Sequence, residues 1–186
     1  MAKLEAFTYE LRFLQAAAPE LKDYLLSKET YWNLGLAAPA GYPPYPRFSL
    51  GWLLLYRRHL DPISDDPQVR QILQVIHQTE EQWRSNWQRK AAVEFGGRLR
   101  LWADFMNDVR RDSNGQRDRY AFEVQRRAML DLLQEAADEI QPEQLKLLRV
   151  LDSALRKSFK PGGFIESQAY EAQFLKERYW YLYGSL

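Results

Sequence analysis

The chain has 186 residues, of which 46% are hydrophobic and 27% charged, and its net charge is +1. Such a chain can bury a core as one globular domain without the help of disulfides or metals. Because it has 0 cysteines, a disulfide scaffold, thiol catalysis and thiolate metal sites are excluded.

The N-terminal segment lacks the basic region and the continuous apolar run of a secretory signal peptide. No apolar run elsewhere in the sequence is long enough to span a membrane. We therefore expect a cytoplasmic protein with no membrane partner.

The first part of the chain predicts two helices. Apolar residues recur at steps of three and four over residues 3–17, which is typical of an amphipathic helix. Pro19 fits the first turn of a second helix, because a missing N–H is not needed there. Gly35 is expected to end that second helix.

Residues 35–47 are predicted to be an irregular loop rich in aromatic residues and proline. Pro43, Pro44 and Pro46 remove backbone donors and impose extended geometry. Two interpretations of the tyrosines in this loop stay open. They either fold back over the end of the bundle as a packed cap, or they form a surface for a partner.

The next segments carry clear helix boundaries. Ser49 is a candidate N-cap for a short helix that ends at Asp61. Asp66 is a candidate N-cap for a long helical stretch, because a first-turn proline follows it. Within that stretch, residues 96–97 are both glycine and predict a kink or a break.

The C-terminal part predicts three more helices. A turn at 112–117 precedes a helix over about 118–139. Pro142 begins a helix that is apolar nearly all round, which predicts the centre of the bundle. A turn at 160–164 leads into a last helix that begins at about Glu166.

No run alternates with period 2 between turn signals, so no sheet is predicted. The predicted fold class is all-α. We expect a single domain, 1–186, of about six to seven helices with one irregular loop.

Catalytic candidates are few, because the chain has 2 histidines. His77 lies at helical spacing from Glu80 and Glu81, but a carboxylate-bridged metal site needs a second such element, which is missing. His59 precedes a helix end, where an imidazole suits the helix dipole, so we expect a structural role. We therefore predict no catalytic residue, no metal and no cofactor, and we favour a non-catalytic protein.

The middle of the chain is basic. Residues 84–127 hold 11 basic and 6 acidic side chains, a net charge of +5, and tryptophans are interleaved with the arginines. Arginine forks and aromatic rings together hold single strands and phosphates. An accessory subunit that contacts nucleic acid is therefore the alternative hypothesis. Its candidate binding residues are Arg84, Arg98, Arg110 and Arg111.

The C-terminal aromatic residues favour a different function. Tyr179, Trp180, Tyr181, Leu182 and Tyr183 are consecutive, and a helix would spread them around its axis. Some of these rings would then be exposed or buried against another chain. The leading hypothesis is an adaptor or assembly subunit that binds another protein chain, of the same or a different kind. Its predicted anchors are Tyr42, Tyr45, Trp180 and Tyr183.

A third hypothesis is an enzyme with a carboxylate-based site that matches no common motif. It would require acids from distant parts of the chain to converge in a pocket.

Overall fold

The computed structural model describes residues 7–186. Its six helices are, in chain order, α1 (Thr8–Leu26), α2 (Leu50–Leu60), α3 (Pro67–Gln82), α4 (Arg84–Arg111), α5 (Arg117–Ala136) and α6 (Pro142–Ser158). Two short strands follow, β1 (Lys160–Phe164) and β2 (Tyr183–Ser185), and pair antiparallel. The predicted helical bundle is confirmed within the described residues, with a small sheet added.

The two helices predicted for the first part of the chain form a single helix in the structure. Helix α1 runs through Pro19 and ends at Leu26, well before Gly35, while the predicted start at residues 3–6 lies outside the described residues. A proline inside a helix costs about 3 kcal/mol. Buried side chains on both sides of Pro19, among them Leu14 and Leu21, offset that cost by packing on the same core.

Helix α2 lies at the centre of the bundle, because it packs against α1, α4 and α5. The prediction that α6 is central was wrong. Helix α6 packs mainly on α4, and Leu147 and Val150 on its outer side are exposed. Its buried stripe is narrow, so a high count of apolar residues did not mean burial on all sides.

The long helical stretch breaks at Trp83, and α4 continues without interruption through Gly96 and Gly97. A Cβ atom at Gly96 would lie 2.7 Å from the Gln144 amide nitrogen, so the end of the Gln144 side chain occupies the space beside this glycine. The predicted cap at Asp66 is confirmed, since its carboxylate accepts from the backbone N–H of Gln68 at 2.9 Å.

The C-terminal region is not helical beyond α6. The predicted turn at 160–164 is strand β1, and the predicted last helix is a series of short turns that ends in strand β2. This extended course buries C-terminal aromatic rings that a helix would have spread around its axis. The Tyr181 hydroxyl donates to Asp131 at 2.6 Å, and Tyr120 donates to the Tyr181 carbonyl at 2.7 Å.

One cluster of buried apolar side chains extends from Phe7 to Leu186. The loop at 35–47 is irregular, as predicted, and an antiparallel bridge between Trp32 and Phe48 closes its base. Within residues 7–186, no helix combines the length and the apolar character needed to cross a bilayer.

We expect Gly184→Ala to destabilise the protein by about 1–3 kcal/mol. Gly184 has φ +156°, and a Cβ atom there would collide with the Lys160 carbonyl across the two strands. Gly163→Ala is the matched control, because its Cβ would meet nothing within 4 Å. Urea unfolding measures both variants, and equal losses of stability would contradict this account of the sheet.

Candidate ligand cavity

A cavity of about 940 Å³ opens beside α2, between α1, α5, the proline-rich loop and the segment after β1. Helix α2 supplies one wall through Trp52, Tyr56 and His59. Their spacing of four and three residues places them on one face of the helix. Trp52 and Tyr56 have ring centroids 5.3 Å apart, and Tyr56 and His59 have centroids 5.9 Å apart.

The proline-rich loop forms a second wall. Pro43, Pro44 and Pro46 line the cavity. The Tyr45 ring stacks on Tyr9 at 4.2 Å, and its hydroxyl donates to the Tyr9 carbonyl at 2.9 Å. The Tyr9 hydroxyl in turn donates to the Pro44 carbonyl at 3.3 Å. The loop is thus attached to α1 by tyrosines, and its prolines are held along the cavity.

A buried polar cluster lies at one end of the cavity. His59 lies between two carboxylates, with Nδ1 3.7 Å from Glu10 and Nε2 3.3 Å from Glu166. The side chain of His59 is only 4% exposed, and those of Glu10 and Glu166 are each 8% exposed. Tyr170 stacks flat on the imidazole at 3.9 Å and donates its hydroxyl to Glu10 at 2.7 Å.

The carboxylates decide the charge of this cluster. Burial, which alone would lower the pKa of His59, is the largest single influence. Glu10 and Glu166 together outweigh burial, so the pKa of His59 is raised. Two carboxylate oxygens, Glu10 Oε2 and Glu166 Oε1, and both imidazole nitrogens are buried without a well-aligned hydrogen bond to any described residue.

Arginines lie on the far side of the cavity, beyond Trp52. Arg98 is buried and donates to Glu94 at 2.6 Å. Arg126 forms an ion pair with Glu123 and lies over the Phe122 ring at 5.6 Å. Both guanidinium groups therefore have carboxylate partners within the protein.

The four predicted protein anchors fall into two groups, one stacked on Tyr9 and one in the C-terminal segment. Tyr45 is packed as described, while Tyr42 is 46% exposed and stacks on Tyr9 at 5.3 Å. Trp180 is half-buried against Phe159, and Tyr183 is buried with its hydroxyl donating to the Phe174 carbonyl at 2.6 Å. Protein binding through these residues stays a prediction.

The four predicted nucleic-acid residues do not form one patch. Arg84 and Arg110 lie at opposite ends of α4, about 39 Å apart at 1.5 Å per residue. Arg111 is exposed beside Arg110, whereas Arg98 is buried in its ion pair with Glu94. Nucleic-acid binding also stays a prediction.

His77 remains apart from the cavity, with its side chain 63% exposed and its ring 3.5 Å from Glu81. In the part of the chain that the structure describes, no group of three or more potential ligands is arranged to hold a metal ion. Sequence reasoning missed the role of His59, because Glu10 and Glu166 are distant in the chain. The one local signal was Glu10 itself, a charged residue on the apolar face of α1.

No protein-family model, no curated protein and no solved structure matches this chain.

We expect the imidazole of His59 to titrate above its ordinary pKa of 6.5. A His77→Asn variant leaves one histidine, whose ring signals NMR can follow with pH.

Protonation of His59 then stabilises the fold, and this contribution to stability is present below pH 6.5 and lost as the pH rises through the folded-state pKa. Glu166→Gln should lower the pH at the midpoint of the His59 titration, because it removes the charge of one of the two carboxylates. A His59 midpoint below pH 6.5 in the His77→Asn protein would mean that burial prevails over the carboxylates.

Proposed function

We propose that this protein binds a small organic molecule with an apolar body in the cavity beside α2. The observation that supports this proposal is the combination of an aromatic wall with a buried polar cluster, four of whose atoms lack a hydrogen-bond partner among the described residues. Ligand sites in proteins are concave, mostly apolar and oriented by a few polar groups. The cavity has each of these properties.

The size of the cavity sets the size of the ligand. Small-molecule pockets have volumes of roughly 300–1,000 Å³, and the volume here, about 940 Å³, lies near the upper limit. Along α2, the distance from Trp52 to His59 is two helical turns, or about 10 Å. An elongated molecule can therefore lie on this face of α2 with one end at the polar cluster.

Exposed apolar side chains mark the mouth of the cavity. Phe122 and Leu101 line it and are 59% and 41% exposed. Large apolar groups in one exposed patch often serve a binding site. A bound molecule would cover them and remove their surface from water, which favours binding by about 25 cal/mol for each Å².

Of the residues in the two binding hypotheses from the sequence, Arg98 alone lines the cavity. Protein binding through Tyr42 would use an exposed ring of the loop that is not part of the cavity lining, whereas the prolines of the same loop line the cavity. The function proposed here is binding, and no reaction is assigned to it.

A blocking substitution tests the proposal with a neutral fluorescent probe, N-phenyl-1-naphthylamine. Ala121 lines the cavity and is exposed, so Ala121→Trp would narrow the cavity without removing a core contact. We expect saturable binding of the probe to the wild type and at least tenfold weaker binding to the variant.

Ala154→Trp is the matched control, because Ala154 is an exposed helical alanine outside the cavity. It should bind the probe as the wild type does. Absence of saturable binding to the wild type, or equal binding by both tryptophan variants, would contradict the proposed function.

A further inference from the structure

The polar end of the cavity carries an excess of negative charge. Glu10 and Glu166 contribute two carboxylates and His59 at most one positive charge, so the cluster is negative even when the imidazole is protonated. No Lys or Arg among residues 7–186 forms an ion pair with Glu10 or Glu166. Burying an uncompensated charge is costly, which makes this end of the cavity attractive to a cation.

The atoms without partners specify which kind of cation. Glu10 Oε2 and Glu166 Oε1 are acceptors, and both are buried without a donor. A buried acceptor without a donor destabilises the folded protein, and a group that brings N–H donors removes that cost. A primary ammonium has three such donors. A quaternary ammonium has none and would leave both oxygens without partners.

The opposite end of the cavity is a poorer binding site for the charged group of a ligand. Arg98 and Arg126 there are already paired with Glu94 and Glu123. Arg47, which also lines the cavity, is exposed to water and donates to the Tyr31 carbonyl at 3.0 Å. An anionic group would have to compete with those carboxylates, whereas an amine at the Glu10 end would fill acceptors that have no partner.

We infer that the cavity recognises a protonated primary amine, bound at the polar end that Glu10 and Glu166 line beside His59, on a molecule whose apolar body lies along Tyr56 and Trp52. This inference rests on the proposed ligand-binding function and adds the chemical class of the ligand.

Three probes with one body and different head groups test it: 4-phenylbutylamine, 4-phenylbutan-1-ol and 4-phenylbutyrate. Each is titrated at pH 7 against the protein loaded with N-phenyl-1-naphthylamine, whose displacement reports binding. We expect the amine to bind at least about tenfold more tightly than the alcohol, and the carboxylate to bind most weakly. Binding of the amine should also shift the NMR signals of the His59 ring.

Glu166→Gln keeps the shape of the side chain and removes its charge, so the advantage of the amine over the alcohol should fall at least fivefold. Glu80→Gln is the control, since Glu80 pairs with Arg57 outside the cavity and its loss should leave that advantage unchanged. Thermal unfolding of both variants checks that they fold. If Glu166→Gln does not fold, the comparison of head groups on the wild type still decides the inference.

Equal binding of amine and alcohol, or tightest binding of the carboxylate, would overturn the inference while the dye still supports a ligand cavity. The inference is also overturned, and the ligand cavity still supported, if the dye binds and none of the three probes displaces it. Failure of the dye itself to bind would instead overturn the proposed function.

Discussion

The arrangement of the bundle depends on a buried ion pair between Glu94 and Arg98 of α4. Ser49 precedes α2 at the N-cap position, yet its side chain does not cap the helix. The Glu94 carboxylate accepts from the Gly51 N–H at 3.0 Å instead, and Arg98 donates to Glu94 at 2.6 Å and to the Ser49 hydroxyl at 2.9 Å. A Cβ at Gly51 would lie 2.7 Å from the Glu94 carboxylate. Breaking a buried pair costs about 3–5 kcal/mol, so this contact sets how α2 lies on α4.

Both ends of α2 are therefore held by charged groups from other parts of the chain. Glu94 accepts from the Gly51 N–H at the N-terminus of α2, where the helix dipole favours negative charge. At the other end, His59 lies between Glu10 of α1 and Glu166 of the C-terminal segment. Between these two attachments, Trp52 and Tyr56 form one wall of the cavity, and Tyr56 also packs against Phe13 of α1. The polar cluster that holds the C-terminal end of α2 thus also forms one end of the proposed ligand cavity.

Much of the bundle could be predicted from the sequence, because its signals are local. Apolar periodicity indicated most of the helices, and Asp66 located the start of α3 with its cap intact. The C-terminal segment was predicted wrongly, because its strands and turns are stabilised by distant groups such as Asp131, which binds the Tyr181 hydroxyl. The polar cluster could not be predicted either. Its bond between Tyr170 and Glu10 joins residues 160 positions apart, and no local pattern encodes such a pair.

The contact between Glu10 and Tyr170 has a consequence for synthesis on the ribosome. A chain that emerges N-terminus first exposes α1 and α2 long before residues 166–170 arrive to complete the cluster. Contacts between distant residues form slowly, because closing a long loop costs entropy before the contact repays it. Until then, Glu10 and His59 remain hydrated, and the aromatic face of α2 is open to other molecules. The cavity is thus among the last parts of the nascent protein to form, and its ability to bind would report that the C-terminal segment has docked.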